Sequence, residues 1–361
     1  MSQSTPVLPV WTIAAPIVAC LLLAGQSFGL GGFYSILQIA GLLAAVLASV
    51  HHAEVVAHKV GEPYGTLVLA GAITAIEVAL IVTLMLAGGE ATSALARDTI
   101  FATVMIILNG IVGLCLLVGG NRYGEQRFGM LGVNAALSTL AAIVVLTLIL
   151  PNFTTSVTGP MYSASQLGFV AVVSLILYGT FVFVQTVRHR DYFLPDESVE
   201  NEEVHALPPT GKQALTSTVL LIVGLGAVVL LAKAISPLIE AGVASIGAPA
   251  ALVGVIIAAI VLLPEGLASL RAAKANRLQT SLNLALGSAL ASIGLSIPAV
   301  AIVSIVNGWP LALGIDTKSM VLLVLSLMVS TLSLGNGRTT VLQGAVHLVI
   351  FATYLFMTVF P

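Results

Sequence analysis

Two glutamates lie in stretches of sequence that are otherwise almost wholly apolar. Glu77 sits in GAITAIEVALIV, residues 71–82, and Glu265 sits in AALVGVIIAAIVLLPEGLA, residues 250–268. Placing an acid at the centre of a membrane helix costs about 2.5–3.5 kcal/mol, and such acids commonly mark a path or site for ions or protons. Two of them in comparable surroundings therefore predict a functional pair.

The chemistry expected of this pair follows from charge. Two carboxylates that share a low-dielectric site cannot both ionise without a large cost, so they need protons or metal cations as counter-charge. Glu77 and Glu265 are thus predicted both as proton carriers and as ligands of a metal cation. Two structural alternatives stay open: an ion pair, for which Lys233 is the one basic residue deep enough, and a protonated acid bonded to a neighbouring helix.

Neutral oxygen donors are expected near the two acids, because a hard cation such as Ca²⁺ takes six to eight oxygen ligands. Pro264 directly precedes Glu265 and is expected to break or kink its helix and free backbone carbonyls. Each polar candidate also fits ordinary hydrogen bonding between membrane helices. The candidates are Thr74, Asn109, Asn283, Ser288 and Ser269, of which Asn109 and Ser288 are favoured.

A second polar cluster lies in HHAEVVAHK, residues 51–59. His51, Glu54 and His58 are spaced i, i+3 and i+7, so they share one face of a helix. Histidine titrates near neutrality, which makes this face a candidate pH sensor. The alternative is an ordinary polar helix end at the membrane surface.

The elements that must position these residues are membrane helices. Of the 361 residues 58% are hydrophobic and 8% are charged, whereas soluble domains carry about 25% charged residues. The composition therefore excludes a soluble globule and predicts an all-α polytopic membrane protein, and the net charge of −2 gives no case for a nucleic-acid partner. Long apolar stretches predict eleven membrane helices, at residues 9–26, 30–50, 64–87, 99–120, 130–150, 165–187, 214–234, 246–270, 280–306, 319–335 and 339–360. An extension of the seventh helix past Pro237 stays open.

The basic residues predict the orientation of these helices. With eleven spans, ten of the thirteen lysines and arginines fall on the side that holds the N-terminus. Basic residues concentrate on the cytoplasmic side, so the N-terminus is predicted in the cytoplasm and the C-terminus outside. The ten are Lys59, Arg122, Arg127, Arg188, Arg190, Lys212, Arg271, Lys274, Arg277 and Arg338.

Two segments of the chain share a pattern. EVVAHKVGEP, residues 54–63, and EAGVASIGAP, residues 240–249, both fit E-x6-G-x-P, and each is followed by the helix that carries one of the acids. The glycine precedes the acid by 16 residues in the first copy and by 18 in the second. The acids fall in the third and eighth helices, an odd number of spans apart, so the two copies cross the membrane in opposite directions. Inverted repeats of this kind are typical of secondary transporters with a site near the membrane midplane.

The predicted organisation has four parts. Residues 1–29 form an extra N-terminal helix, 30–187 the first five-helix repeat, 188–212 an acidic cytoplasmic loop and 213–361 the second, inverted five-helix repeat. The loop is expected to be a solvated linker, and the alternative is a segment that attracts cations or regulates, because clustered carboxylates raise the local cation concentration. Its acids are Asp191, Asp196, Glu197, Glu200, Glu202 and Glu203.

The two acid-bearing segments also resemble a known family. GEPYGTLVLAGAITAIEVALI, residues 61–81, and VLLPEGLASLRAAKANRLQTSLNLALGSALASIGLSIP, residues 261–298, are similar to the two alpha repeats of the cation/calcium exchanger superfamily, and more closely to bacterial calcium/proton antiporters of the ChaA type, which also handle sodium and potassium. HHAEVVAHKVGEP resembles that subgroup. The resemblance implies that Glu77 and Glu265 bind the cation and the proton, and that access to them alternates between the two sides of the membrane.

The chain departs from the family pattern in places that bear on the choice of ion. Many calcium/proton exchangers carry asparagine three residues before each glutamate, where this sequence has Thr74 and Leu262, and histidine after the second glutamate, where it has Gly266. Fewer oxygen atoms then surround the acids, which leaves room for Na⁺ or K⁺.

Three classes of function are compared. A cation/proton antiporter is favoured, with cytoplasmic calcium as the first candidate ion and sodium or potassium as the alternative. A passive cation channel is disfavoured, because two acids at one midplane site suit tight binding rather than the several successive sites of a pore. An enzyme is not expected, because no nucleophile or metal constellation accompanies the histidines. The implied partners are inorganic cations, protons and the lipid bilayer of a bacterial inner membrane; no cofactor is expected, and a homo-oligomer is compatible with the sequence.

Overall fold

The protein is an assembly of long apolar helices. The computed structural model describes residues 8–28, 31–61, 64–194 and 209–360. In this part of the chain ten helical segments are long and apolar enough to cross a membrane, and a shorter apolar helix precedes them. The prediction of an all-α polytopic membrane protein is confirmed, with the first of the eleven predicted spans present as this shorter helix. The α-helices are α1 (Val10–Ala24), α2 (Gly31–Val60), α3 (Tyr64–Gly88), α4 (Leu95–Met105), α5 (Val112–Tyr123), α6 (Met130–Val144), α7 (Ala164–Phe183), α8 (Gly211–Ser245), α9 (Ala251–Lys274), α10 (Leu278–Asn307), α11 (Thr317–Leu334) and α12 (Val341–Val359).

Three of the described spans contain a wider, π-helical segment, at Ile106–Ile111, Val145–Ile149 and Val184–Arg188, and the first of these lies near the middle of its span. The π-helical turn Ile106–Ile111 joins α4 to α5, and together they form a single apolar span, Leu95–Tyr123. A π-helix closes its hydrogen bonds one residue further apart than an α-helix and therefore inserts one extra residue. The only strands in the described residues are two short ones, β1 (Gln126–Arg127) and β2 (Arg338–Thr339), paired antiparallel.

One helix runs further than hydropathy predicts, and another takes the longer of two predicted lengths. Helix α2 continues to Val60 and so includes the histidine cluster, and α8 continues through Pro237 to Ser245. Pro264 also lies inside a continuous helix, α9, so the predicted break of the helix at this residue does not occur. Since proline has no N–H, the carbonyl of Ile260, four residues earlier, still lacks its usual helical donor.

The two glycines of the repeated E-x6-G-x-P pattern have the same local structure. Gly61 follows the end of α2 with φ 77°, and Gly247 follows α8 with φ 69°. This left-handed conformation is favourable for glycine and is typical of a residue that ends a helix. A Cβ at either position would meet no atom within 4 Å, so the backbone conformation, rather than crowding, explains the glycine in both copies.

The helices group into two compact units. Unit 1 comprises Met1–Leu84 and Glu202–Gly247, and unit 2 comprises Met85–Asn201 and Ala248–Pro361. In unit 1, α1, α2 and α8 pack on one another; in unit 2, α9 packs on α4, α5 and α10. The division into two sequence repeats stays a prediction. Five of the six acids of the predicted acidic loop, from Asp196 onward, lie outside the described residues.

Within unit 2, α5 and α12 approach each other closely at two glycines. A Cβ on Gly113 would lie 2.8 Å from Cβ of His347, and a Cβ on Gly344 would lie 2.3 Å from the backbone nitrogen of Leu117. Both distances are too short for any side chain. Small residues allow this close approach of backbones in membrane helices, and they place His347 directly against α5.

Candidate functional site

Glu77 and Thr74 lie on the buried face of α3 in unit 1. Their relative exposures are 4% each, and they stand three residues apart, on neighbouring turns of one face. The same face carries Ile73, Ile76 and Leu80, whereas Ala75 points to the exposed side. These residues recur with the 3.6-residue period of a helix, so the acid lies on the same face as the buried apolar residues and is buried with them.

Glu265 lies on the buried face of α9 in unit 2, with 8% exposure. Pro264 and Ser269 are buried on the same helix. The carbonyl of Ile260 lies one turn before Glu265 and is deprived of its helical donor by Pro264. A carboxylate and a spare carbonyl oxygen are thus carried on successive turns, and both are ligand types that hard cations accept.

The sequence-predicted neighbour Ser288 contacts Glu265. The Ser288 hydroxyl on α10 donates a hydrogen bond to Oε1 of Glu265 on α9 at 3.1 Å. Ser288 is half-buried, and the next turn of α10 carries the buried Ser292. This places two hydroxyls on the α10 surface that faces α9, one of them bound to the acid.

Asn109 lies in the π-helical turn and is fully buried, with its amide engaged on both sides. Its Nδ2 donates to Oγ of Ser326 at 2.8 Å, and its Oδ1 lies 3.3 Å from Nδ1 of His347. The turn packs on α9, where Cδ1 of Ile111 would lie 3.3 Å from a Cβ on Gly266. Asn109 is therefore two residues before Ile111, which contacts Gly266, the residue after Glu265.

The other predicted amide, Asn283, has partners of a different kind. Its Nδ2 donates to the carbonyl of Phe193 at 2.6 Å, and its Oδ1 accepts from Nε2 of Gln279 at 3.0 Å. Gln279 in turn accepts from the backbone N–H of Gly129 at 2.7 Å. These contacts tie α10 to the segment after α7 and to the segment before α6.

The predicted pH-sensing residues lie near the end of α2 in unit 1. Nδ1 of His51 lies 3.9 Å from Oε2 of Glu54, and His58 is exposed one turn further on. The neighbouring His52, which the sequence pattern did not single out, is fully buried: its Nε2 lies 2.9 Å from the carbonyl of Thr12 on α1 and its Nδ1 3.2 Å from Oγ of Ser217 on α8. His52 therefore joins the three helices of unit 1.

Helix α9 runs parallel to the α4–α5 span. A Cβ on Gly254 would lie 3.1 Å from the backbone of Asp98 and Thr99, and Gly266, further along α9, contacts Ile111, further along the span. The two contacts are twelve residues apart on α9 and twelve to thirteen residues apart on the span, so the two helices lie side by side over this length.

Two polar features near α9 were missed by the sequence analysis. Asp98 is largely buried at the start of α4, where Arg97 binds its carboxylate at 2.8 Å and also donates to the carbonyl of Gly314 at 3.2 Å. His347 is fully buried in α12. The signal for His347 was present, because a lone histidine interrupts the apolar run of residues 344–352 in the same way that Glu77 interrupts its own.

Most of the chain matches one family of known proteins. The family described as sodium/calcium exchanger protein matches residues 30–187 and 216–360. The chain belongs to the sodium/calcium exchanger family. It is therefore a transporter rather than an enzyme, and the predicted membership of the cation/calcium exchanger superfamily, in its ChaA-type branch, is confirmed.

Curated relatives cover almost the whole exchanger. It is 48% identical over 357 residues to a Sinorhizobium fredii protein described as an ionic transporter, y4hA, covering 98% of this chain and 97% of the relative. It is 34% identical over 353 residues to the sodium-potassium/proton antiporter ChaA of Escherichia coli, covering 97% and 95%. A Ca²⁺/H⁺ antiporter of Aphanothece halophytica is 25% identical over 282 residues, covering 73% of this chain and 75% of that protein.

Solved structures share the fold of the exchanger. YfkE superposes with a TM-score of 0.74 at 17% identity, covering 97% of this chain and all of that one, and the H⁺/Ca²⁺ exchanger CAX superposes with a TM-score of 0.71 at 16% identity, covering 96% and 87%. Together, the family and the relatives show a cation/proton antiporter that is integral to the bacterial inner membrane and that transports inorganic cations and protons.

Proposed function

We propose that this exchanger moves cytoplasmic Ca²⁺ outward in exchange for protons by alternating access, and that Glu77 and Glu265 hold either the cation or the protons. The observation that carries the proposal is the burial of both carboxylates, at 4% and 8% exposure, inside apolar helices. Leaving a carboxylate charged in such surroundings is costly unless a cation accompanies it. Each carboxylate can be neutralised either by a proton or by a metal cation. Exchange results when the two carboxylates bind protons at one stage of the transport cycle and the cation at another.

Sodium or potassium is the second candidate for the exchanged cation. Its support is the Escherichia coli relative, named for sodium, potassium and protons, together with Thr74 and Leu262 at the positions three residues before the acids. A hydroxyl at one position and an apolar side chain at the other supply fewer oxygens than two amides would. Monovalent ions, which need less counter-charge than Ca²⁺, are served better by a ligand set of this size.

The neutral ligands proposed for the cation differ in their support. Ser288 is favoured by its hydrogen bond to Glu265, and Thr74 by its place on the Glu77 face of α3. The carbonyl of Ile260 is added because Pro264 removes its helical donor. Asn109 and Asn283 were predicted from sequence, but their amides have partners within the protein, so they are weaker candidates for direct ligation.

The experiment for this function uses everted membrane vesicles, whose outer surface is the cytoplasmic face. After respiration has acidified the lumen, added Ca²⁺, Na⁺ or K⁺ should release protons from vesicles that contain the exchanger, and a fluorescent pH indicator reports the collapse of the gradient. Calcium is expected to act at the lowest concentration. Ion flux that proceeds without proton movement would identify a passive channel and overturn the proposal.

Two variants and one control assign the site. Glu77→Gln and Glu265→Gln should each abolish exchange, because an amide cannot supply the charge that the cation needs. Glu240→Gln is the matched control: this acid is exposed on α8 and accepts a hydrogen bond from Ser236 at 2.9 Å, so exchange should continue. Full activity of either buried-acid variant would show that the site is elsewhere.

The orientation and the pH sensor are further parts of the proposal. The N-terminus is proposed in the cytoplasm and the C-terminus outside, which accessibility labelling of single cysteines introduced at positions 9 and 360 tests.

His51, Glu54 and His58 are proposed to adjust activity to cytoplasmic pH. If they do, His51→Ala and His58→Ala will shift the pH of half-maximal exchange in everted vesicles while leaving the maximal rate unchanged; an unshifted profile in both variants rejects the sensor.

A further inference from the structure

A buried polar cluster joins the π-helical turn to α11 and α12 in unit 2. Asn109, Ser326 and His347 each have 0% exposure. The Asn109 amide lies between the other two, 2.8 Å from Oγ of Ser326 and 3.3 Å from Nδ1 of His347. The family assignment gives no role to this histidine.

The directions of these hydrogen bonds form one consistent chain. The Ser326 hydroxyl donates its single hydrogen to the carbonyl of Leu322 at 2.7 Å, so its oxygen accepts from Nδ2 of Asn109. This orients Oδ1 of Asn109 toward His347, and an amide oxygen can only accept. Nδ1 of His347 must therefore carry the hydrogen.

The location of the cluster connects it to Glu265. The π-helical turn that carries Asn109 packs on α9, α10, α11 and α12. Ile111, at the end of the turn, contacts α9 at Gly266, the residue after Glu265. On the opposite side, Gly113 and Gly344 bring α12 close enough for His347 to reach Asn109. A hydrogen bond that holds Asn109 in place therefore also holds the π-helical turn, and Glu265 lies on the part of α9 that packs against this turn.

We propose that His347 is a positioning residue for the cation site, which acts by donating a hydrogen bond from Nδ1 to Asn109 and so holds the π-helical turn against α9 beside Glu265. The inference rests on the proposed role of Glu265 as an ion-binding acid. The donor at Nδ1 is the part of the imidazole that matters, and the proton-accepting capacity of Nε2 is not used. An untethered turn would leave the ligands around Glu265 less well ordered and weaken cation binding more than the rate of the transport cycle.

Two amide substitutions separate these properties of the imidazole. The amide nitrogen of an asparagine at position 347 falls near the place of Nδ1, whereas that of a glutamine falls near the place of Nε2. His347→Asn should therefore keep the KM for the transported cation within about twofold of the unaltered protein. His347→Gln and His347→Leu should raise the KM about tenfold, as expected for loss of one buried hydrogen bond, with the maximal rate within about twofold.

The measurement is cation-dependent proton release in everted vesicles, normalised to the amount of folded exchanger by size-exclusion chromatography. If the leucine variant does not fold, the asparagine and glutamine variants carry the comparison. Rescue by glutamine but not by asparagine, or an unchanged KM in all three variants, overturns the inference. Glu265→Gln is measured in parallel: if it stays active the proposed function fails, and if it is inactive while the His347 variants are normal only the positioning role fails.

Discussion

The Ser288 hydroxyl donates a hydrogen bond to Oε1 of Glu265 across two consecutive helices at 3.1 Å. This contact gives the buried carboxylate a neutral donor from α10, while its own helix supplies the carbonyl freed by Pro264. A hydroxyl can turn from donor to acceptor, so Ser288 suits a site that holds a carboxylate at one stage and a cation at another.

Replacing Ser288 tests that dual use. Ser288→Ala removes a hydrogen bond to a charged group, and the KM for the transported cation should rise about three- to tenfold. Proton release at increasing cation concentration in everted vesicles measures the change. Ser138→Ala, which removes an exposed hydroxyl bonded only to the carbonyl of Ala135, is the control and should leave the KM unaltered. Equal KM values for both variants would exclude Ser288 from the site.

A substitution at Thr74 tests the choice of ion. Thr74→Asn places an amide oxygen three residues before Glu77, which adds a longer-reaching ligand of the kind that Ca²⁺ accepts. The ratio of the KM for Na⁺ to the KM for Ca²⁺ should increase by about threefold or more. Proton release with each ion in turn gives the ratio. A ratio that stays the same or falls would argue that Thr74 does not face the cation.

The packing of α5 on α12 predicts a loss of stability. Gly344→Ala would place a methyl group 2.3 Å from the backbone nitrogen of Leu117, and overpacking of this kind costs about 1–3 kcal/mol. The melting temperature of the purified protein in detergent should fall. Gly168→Ala on α7, where a Cβ meets nothing within 4 Å, should melt at or above the temperature of the unaltered protein. Similar melting of the two variants would contradict the packing.

The buried His52 predicts which helix loosens first in unit 1. His52→Leu removes the partner of the Thr12 carbonyl and of the Ser217 hydroxyl, and a buried polar group left without its partner costs about 1–3 kcal/mol. Hydrogen exchange followed by mass spectrometry should show faster exchange in α1 than in the unaltered protein. His58→Leu changes an exposed residue of the same helix and should leave α1 protected. An unchanged rate of hydrogen exchange in α1 of the His52 variant would contradict the role of His52 in holding α1.

Tyr162 gives a pH dependence with a definite sign. Its hydroxyl donates to the carbonyl of Leu146 at 2.5 Å, and burial raises the pKa of Tyr162 to about 12, against about 10 in an unfolded chain. Between these values the unfolded chain loses the proton and the folded protein keeps it, so stability decreases as the pH rises through this window. The melting temperature should fall less between pH 9 and pH 11.5 for Tyr162→Phe than for the unaltered protein. An equal fall in the melting temperature of the two proteins would show that Tyr162 does not cause this dependence.

Hydropathy predicted the helices well because the composition leaves few alternatives. Each predicted span corresponds to a helix, and the two acids are buried as predicted, since Glu77 and Glu265 stand on the same faces as their apolar neighbours. Ser288 was identified because it lies in the helix after Glu265, close along the chain. Local spacing was enough in each of these cases.

What the sequence did not reveal depends on contacts between distant segments. Asn109 looks like a free ligand until α11 and α12 supply Ser326 and His347, more than 200 residues away. Asn283 meets the carbonyl of Phe193 in a segment whose path hydropathy does not predict. The π-helical turn has no sequence signature of its own, because its extra residue is stabilised by the helices packed around it.

The close packing of α5 on α12 also has a mechanical consequence. Where Gly113 and Gly344 let two backbones touch, one helix cannot slide along the other without driving side chains into main-chain atoms. The two helices should therefore move as one rigid body, together with His347 on α12 and Asn109 in the turn before α5. In any transport cycle α5 and α12 should travel together, and the bending must occur in the connections beyond their ends.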